Sequence, residues 1–226
     1  MPLLGSAAML LAFDIDAAAI DEHDRWHTHE HLPERLSIPG FLRGTRWLAV
    51  DGAPRYMVLY EVASLATLTS EAYLQRLNNP TPWTARMMPH YRGMIRGLCS
   101  VGGSFGLGLG GTAALIRFTP DAAQSESLTR WLLDEALPAL PTLPGLGSAH
   151  LLQAEHAAPM TNEQRIRGAD RGVDSALIIT GYEGSAVTAC MSELCARQGL
   201  PARGAGGLSS ATYRLSYSLA SAEISA

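Results

Sequence analysis

The amino-acid sequence repeats itself at an offset of 105 residues, and this repeat most restricts what the chain can fold into. The shared markers are a strand-type Phe, a Trp, a Leu-Pro pair and a Pro-Gly pair. They are Phe13, Trp26, Leu32-Pro33 and Pro39-Gly40 in the first copy, and Phe118, Trp131, Leu137-Pro138 and Pro144-Gly145 in the second. Similar segments at a fixed offset indicate one structural unit used twice. We therefore predict an N-terminal repeat over residues 1–105 and a degenerate C-terminal repeat over residues 112–226.

Each copy shows the order strand, helix, strand, strand, helix, strand, judged from where the apolar period changes between two and about 3.6 residues. In the first copy the predicted strands are Ala8–Ile15, Phe41–Val50, Arg55–Val62 and Ile95–Ser104, and the predicted helices run from Asp21 towards Leu36 and over Ser64–Leu77. Pro33 predicts a kink or a new turn late in the first helix. The second copy is lengthened around His156–Arg171, which we interpret as a polar loop.

This order is that of the ferredoxin-like split βαβ unit, whose sheet carries helices on one face only. The other face needs a cover, and a second copy in the same chain can supply it. The predicted fold class is therefore α+β, with tandem ferredoxin-like repeats whose antiparallel sheets cover each other.

Composition excludes several functional classes. All 17 basic residues are Arg, and 21 acidic residues give a formal charge of −4. Without Lys the chain cannot form a Schiff base or carry the Gly-Lys phosphate loop. The negative charge argues against a nucleic-acid partner. An apolar fraction of 47% supplies a core and argues against global disorder.

The cysteines and the apolar segments give expectations about the cellular location of the protein. Cys99, Cys190 and Cys195 show no CxxC spacing, so we expect neither disulfides nor a thiolate zinc site, and a cytoplasmic location. The apolar N-terminus lacks a basic start and is interpreted as a strand. Gly97–Ile116 is uncharged, but seven of its residues are Gly, so we expect no membrane span.

Two stretches carry a resemblance to a known family. Trp26–Arg35 reads WHTHEHLPER and Ile38–Phe41 reads IPGF, and together they resemble the W-x-x-x-E-H-L-P-E-R…I-P-G-F stretch of EthD-like members of the dimeric α/β-barrel superfamily. Pro82–His90 is similar to the later part of these proteins. The resemblance implies that the tandem ferredoxin-like repeats pair their antiparallel sheets face to face into an α/β barrel within one chain, as two subunits do in shorter relatives. That superfamily includes cofactor-free monooxygenases, lactone isomerases, cyclases, aldoxime and haem enzymes, so the chemistry stays open.

The densest polar cluster is His27, His29, Glu30 and His31. His27-x-x-Glu30-His31 spells the H-x-x-E-H zinc motif, and helical spacing puts the two His residues on one face. Such sites generally need a third protein ligand, so we predict no metal. His29 points elsewhere on the helix and is expected to be solvated.

His31 is the predicted catalytic acid or base, since the resemblance places it towards the cavity between helices and sheet. An imidazole of ordinary pKa, near 6.5, exchanges protons at neutral pH. The structural alternative is a histidine that bonds a backbone carbonyl where Pro33 breaks the helix. At the 105-residue offset its counterpart is Ala136, which favours a catalytic role. Arg35 is predicted to clamp an anion or enolate, with pairing to Glu30 or Glu34 as its alternative.

Five further residues are candidates for the substrate pocket: Trp26, Tyr60, Trp83, His90 and Tyr91. Trp26 recurs in the second copy as Trp131, and Tyr60 as Tyr182, so a core role is the alternative for both. The other three lack clear counterparts and follow the second helix, where the chain could fold over the cavity.

Gly106-x-Gly108-x-x-Gly111 spells a dinucleotide fingerprint, but the strand-like Ala113–Phe118 follows it where a helix would be needed. We interpret these glycines as the link between the copies.

The leading functional hypothesis is a cofactor-independent enzyme of lyase or isomerase type, acting on a small apolar carbonyl or phenolic compound through His31. A cofactor-free monooxygenase is the enzymatic alternative, and a small-ligand binding or accessory protein is the non-catalytic one. The expected partner is a small-molecule substrate, and the chain could also form a homodimer.

Overall fold

The computed structural model describes residues 3–51, 53–155, 161–168 and 170–224. Within these ranges eight strands close into one antiparallel barrel, in the spatial order β1-β3-β2-β8-β5-β7-β6-β4. In chain order the strands are β1 (Ala7–Ile15), β2 (Phe41–Asp51), β3 (Tyr56–Val62), β4 (Tyr91–Gly106), β5 (Thr112–Pro120), β6 (Leu146–Ala154), β7 (Ser175–Gly181) and β8 (Ala205–Ala220). The predicted α+β barrel is thus confirmed.

Helices cover the outer face of the barrel. They are α1 (Ile20–Trp26), α2 (Leu32–Leu36), α3 (Glu71–Asn78), α4 (Pro82–Met87), α5 (Ser125–Trp131), α6 (Leu137–Ala139), α7 (Asn162–Arg167) and α8 (Gly184–Cys195). The prediction of a polar loop over the insertion His156–Arg171 is wrong for Asn162–Arg167, which form the helix α7 behind the capping box of Thr161 and Gln164. Residues 156–160 and 169 lie outside the described ranges.

Two seams close the barrel. The strand order within the N-terminal half is β4-β1-β3-β2, and the corresponding order within the C-terminal half is β8-β5-β7-β6. The edge strand β2 pairs with β8, and β4 pairs with β6. Both β4 and β8 are 16 residues long, which lets each pair with a strand of its own half and one of the other half. The two sheets therefore share backbone hydrogen bonds at both edges in addition to facing each other.

The strands alternate between the barrel interior and the helix-covered outer face, as strand geometry requires. In β1, Ala8, Leu10 and Ala12 join an interior cluster that includes Trp47 and Tyr213. The intervening Met9 and Phe13 pack outward against Trp26 and its helix. A third cluster fills the space between the C-terminal strands and their helices. The layer between strands and helices in the N-terminal half is where the predicted site residues lie.

A π-helical segment, His27–His31, joins α1 to α2. The backbone N–H of Leu32 donates to the carbonyl of His27, five residues back. Pro33 has no N–H, and its ring would crowd the carbonyl four residues earlier, so a wider turn before it relieves both problems. A second π-helical segment, Leu132–Ala136, precedes the other Leu-Pro pair. The predicted new turn at Pro33 is confirmed in this form.

The predicted helix over Ser64–Leu77 is two elements. A 3₁₀ turn covers Leu65–Thr69, and α3 begins at Glu71. Ser70 between them is extended, and its hydroxyl accepts a hydrogen bond from the Tyr73 N–H. A Ser side chain that caps a new helix competes with continuation of the old one, which explains the break.

The glycine-rich link between β4 and β5, residues 107–111, crosses the ends of β6 and β7, where the N–H groups of Leu107 and Gly111 donate to the carbonyls of Gly147 and Gly181. Gly106, Gly108 and Gly110 have φ values of +84°, +75° and +70°. A Cβ at Gly106 would lie 2.1 Å from the Gly147 carbonyl oxygen, so this position needs glycine on two counts. The strand β5 follows directly, as predicted, so this link opens no helix. In the described part of the chain, no helix is long and apolar enough to cross a bilayer.

The seams lead to a test of the architecture. Residues 1–105 produced alone would expose the unpaired edges of β2 and β4 and the interior faces of Leu10 and Trp47. We expect this fragment to associate into oligomers, because unpaired strand edges form hydrogen bonds with other chains and exposed apolar faces bury themselves against each other. Co-production with residues 112–226 should restore a soluble one-to-one complex. Size-exclusion chromatography with light scattering measures both, and a monodisperse monomer of residues 1–105 would contradict the paired-sheet architecture.

Candidate functional site

A small cavity of about 30 Å³ lies between the outer face of the N-terminal strands and the helices that cover it. Its floor is formed by β1, β3 and β4, its sides by α2, α3 and the adjoining π-helical segment, and its roof by α7. Three predicted site residues, His31, Arg35 and Tyr60, meet on its walls. At its present size the cavity holds about one water molecule.

Three histidines line the inner side of the helix above this layer. His23, His27 and His31 are all buried, with ring centroids 5.5 Å apart for the first pair and 5.6 Å for the second. The π-helical segment keeps His27 and His31 on the same buried side, and His29 is exposed, as predicted. The indole of Trp26 packs on His31, with centroids 4.3 Å apart. The helix thus presents a column of imidazoles to the cavity.

Two imidazole nitrogens in this column lack hydrogen-bond partners. Tyr91 and His23 are joined through the phenol oxygen and Nε2 at 3.4 Å, and Tyr60 and His27 by the same atoms at 3.5 Å. Among the described residues, no group pairs with Nδ1 of His27 or of His31, although both atoms are buried. A buried polar atom without a partner costs about 1–3 kcal/mol, so such atoms point to function.

Burial sets the charge of these histidines. Desolvation lowers the pKa of both His27 and His31 well below the ordinary value, and nearby positive charge acts in the same direction. For His31 the nearest such charge is Arg35. The expectation from the sequence, an ordinary pKa near 6.5 for His31, is wrong, because burial of the ring lowers its pKa. Both imidazoles are therefore neutral at pH 7 and can accept a proton.

The tyrosines near the column stay protonated. Burial raises the pKa of Tyr60 and that of Tyr91 well above the ordinary value for a phenol. Each hydroxyl can therefore donate a hydrogen bond at neutral pH but cannot serve as an anion.

Arg35 is a buried cation held by two carboxylates. Its Nη2 donates to Glu163 of α7 at 2.5 Å, and its Nη1 donates to Glu34 at 3.2 Å. Burial alone would lower the pKa of Arg35, but the carboxylate of Glu163, with Tyr73 and Glu34, raises it overall. Sequence reasoning missed Glu163, because it lies 128 residues away and belongs to no motif. The sequence feature that could have pointed to Glu163 is its place in the insertion of the second copy.

The other predicted pocket residues lie farther from the cavity. Trp26 and Tyr91 are buried behind the histidine column, where they support it. Trp83 donates from Nε1 to Glu22 of α1 at 3.1 Å, and it does not line the cavity. His90 is half-exposed, with Nδ1 3.2 Å from Asp16. The structure does not bring Trp83 or His90 to the cavity.

The H-x-x-E-H motif does not converge on one point. The Glu30 carboxylate accepts hydrogen bonds from Trp26 Nε1 at 3.2 Å and from the Thr81 hydroxyl at 2.5 Å, which directs it towards α4. His27 and His31 lie on the other side of the helix. Over the described ranges, no three His, Cys, Asp or Glu residues are grouped closely enough to hold a metal ion.

Comparison with solved structures finds the same fold at low sequence identity. An anthrone oxidase-like protein matches with a TM-score of 0.66 and 11% identity, covering 99% of this chain and 97% of that one. A proposed monooxygenase from Fusobacterium nucleatum matches with a TM-score of 0.63 and 8% identity, covering 96% of each chain. Chlorite dismutase from Candidatus Nitrospira defluvii matches with a TM-score of 0.59 and 15% identity, covering 98% of this chain and 94% of that one.

These similarities support the barrel fold alone. No protein-family model matches the sequence. No curated protein matches it either. The EthD-like resemblance and the internal duplication therefore stay predictions.

The lowered pKa values make stability depend on pH. The unfolded chain takes up protons on these histidines near pH 6.5, before the folded protein does, so the free energy of unfolding should be highest above pH 7 and fall as the pH drops below 6.5. Each such histidine contributes up to about 1.4 kcal/mol per pH unit. Urea unfolding between pH 7.5 and 5.5 measures the slope. His27→Gln should reduce the slope, and His29→Gln, on the exposed side, should not. Equal stability across this range would contradict the neutral buried imidazoles.

Proposed function

We propose that this chain is a cofactor-independent enzyme that abstracts a proton from a small, largely apolar carbonyl or phenolic compound, with His31 as the general base. One observation carries the proposal. A buried, neutral imidazole lies on a cavity wall beside a guanidinium, and among the described residues nothing bonds its Nδ1. Neither group is needed to close the barrel, and together they supply a proton acceptor and a positive charge.

The proposed step uses the groups on the cavity wall. His31 accepts the proton, and the negative charge that develops on the substrate oxygen lies near Arg35, with the Tyr60 hydroxyl as a further donor. A low imidazole pKa weakens a base, but an enolate or phenolate formed beside the ring stabilises the imidazolium. Burial strengthens these charge interactions, because His31, Arg35 and Tyr60 are shielded from bulk water.

Two fates of the resulting anion define the alternatives. In a lyase or isomerase, His31 returns the proton to another carbon or to a leaving group. In a cofactor-free monooxygenase, the carbanion of a CH₂ group reduces O₂, so that one oxygen atom becomes a carbonyl on the substrate and the other leaves as water. The names of the anthrone oxidase-like protein and of the Fusobacterium protein favour the second fate as the alternative to test.

We also infer that one half of the chain holds the site. Under the 105-residue offset His31 corresponds to Ala136, and Arg35 corresponds to Leu140, which packs in an apolar cluster. The matching strand orders and π-helical segments support a duplication of an EthD-like unit, residues 1–105, into a degenerate copy, residues 112–226. The proposed partner is a small-molecule substrate.

Proton abstraction can be measured before the true substrate is known. The purified protein is incubated in D₂O with anthrone or with 2-tetralone, deuterium entry next to the carbonyl is followed by NMR, and O₂ uptake is recorded in parallel. Enzyme-dependent exchange without O₂ uptake supports the lyase or isomerase fate. Exchange with O₂ uptake supports the oxygenase. Neither signal above the rate of His31→Gln would favour the non-catalytic binding protein.

The variant His31→Gln tests the base directly. Gln keeps a polar side chain of similar length, whereas Ala would leave a void beneath the Trp26 indole. Exchange should slow by roughly 10²- to 10⁴-fold, the contribution of a positioned acid or base, and the melting temperature should change little. His29→Gln, on the exposed side of the same segment, is the matched control and should keep full activity. If His31→Gln exchanges as fast as the parent protein, the assignment is wrong.

A further inference from the structure

We propose that the Glu163 carboxylate occupies an anion-binding subsite of this cavity, and that the substrate carries a carboxylate that displaces Glu163 from Arg35. The inference rests on the proposed function only in taking this cavity as the substrate site. It adds the chemical class of the substrate, and it assigns to α7 the role of an internal ligand.

The first argument is steric. A cavity of about 30 Å³ cannot hold an organic substrate, since ligand sites are typically about 300 Å³ or larger. The floor and sides belong to the barrel and to helices that carry the buried core around Trp26 and Tyr73. The roof is α7, a short helix in an insertion. Substrate entry therefore requires displacement of α7.

The second argument is how α7 is held. Thr161 and Gln164 form its capping box, and Gln164 and Arg167 both bond Asp170, so the segment keeps its own hydrogen bonds. Its bonds to neighbouring elements include Asn162 with Asn78, where Nδ2 donates to the carbonyl at 2.7 Å, and Glu163 with Arg35. The Asn162 contact lies at the exposed edge. Two contacts of α7 are buried: the ion pair of Glu163 with Arg35, and the guanidinium of Arg167 over the Tyr91 ring, 5.9 Å from its centroid. Of these two, only the Glu163 contact places a charge on Arg35.

The third argument is charge. When α7 moves away, Nη2 of Arg35 loses its carboxylate, while Nη1 keeps Glu34. A buried cation with an unmatched donor is unfavourable, so the open state needs another acceptor at the same place. Arg96 also lines the cavity, so a second guanidinium stays in place when α7 and its Arg167 move away. A carboxylate matches Glu163 in charge and in geometry, so it should bind there more tightly than a neutral ligand, whose oxygen is a weaker acceptor for Arg35.

The test compares two probes of equal shape. Isothermal titration calorimetry measures the binding of 2-naphthoate and of its neutral counterpart 2-naphthamide to the full chain and to Glu163→Gln. Gln keeps the size of the side chain and removes the competing charge. Glu163→Gln should bind 2-naphthoate about 10-fold or more tightly than the parent does, the effect of one charged hydrogen bond, and its affinity for 2-naphthamide should not change.

Two further variants separate this explanation from general electrostatics and from misfolding. Glu34→Gln removes a carboxylate from the same guanidinium, but Glu34 does not line the cavity and Glu163 still occupies Nη2 of Arg35, so the gain in 2-naphthoate affinity should be clearly smaller than that of Glu163→Gln. The double variant Arg35→Met and Glu163→Met replaces the ion pair with apolar groups, which buried sites often tolerate. It should stay folded by circular dichroism and show no preference for the carboxylate.

The inference is overturned if Glu163→Gln binds neither probe, if it binds both equally, or if Glu34→Gln tightens 2-naphthoate as much as Glu163→Gln does. These outcomes are independent of turnover. Carboxylate preference in Glu163→Gln together with unimpaired exchange by His31→Gln would uphold the subsite and reject the proposed base. The reverse pattern would uphold the base and reject the subsite.

Discussion

Closure of the barrel through its two seams is the constraint on which the remaining structure depends. Pairing of β2 with β8 and of β4 with β6 uses the backbone groups of strands that would otherwise be free edges. In the described part of the chain, side chains such as Leu10, Trp47 and Tyr213 pack in the interior. The cavity that brings His31, Arg35 and Tyr60 together lies on the outer face, in the layer between strands and helices.

The layer between strands and helices has the same backbone geometry in both halves, but it holds polar side chains in the N-terminal half and apolar side chains in the C-terminal half. Both halves bend into a π-helical segment before a Leu-Pro pair, because proline disturbs the helix in the same manner in each. In the N-terminal half the inward positions are His23, His27 and His31. In the C-terminal half the positions at the 105-residue offset are Leu128, Leu132 and Ala136, of which both leucines are buried in an apolar cluster. The fold does not need imidazoles there, so their presence has a different cause.

Burying the polar side chains of the N-terminal half costs folding free energy that burying the apolar side chains of the C-terminal half does not. Desolvation disfavours the charged form of each imidazole, and the orphaned nitrogens and the buried arginine add to the penalty. The ion pair between Arg35 and Glu163 compensates part of it, and it does so with a residue from the insertion. The tryptophans show the same difference. Trp26 is fully buried against His31, whereas Trp131 is only partly buried beneath the guanidinium of Arg203, 3.9 Å from its ring centroid.

Local pattern by itself indicated the strands, the break at Pro33, the glycine link after β4 and an α+β fold whose sheet needs a cover, because these follow from periodicity and proline geometry. The barrel and the placement of His31 towards a cavity followed from the EthD-like resemblance, and their residue types made Arg35 and Tyr60 candidates. Tertiary structure alone decided three things. It turned Trp83 and His90 away from the cavity, it lowered the pKa of His31 by burial, and it brought Glu163 to Arg35 across 128 residues. Desolvation and long-range pairing depend on which surfaces meet when the barrel closes, and no local pattern in the chain encodes that.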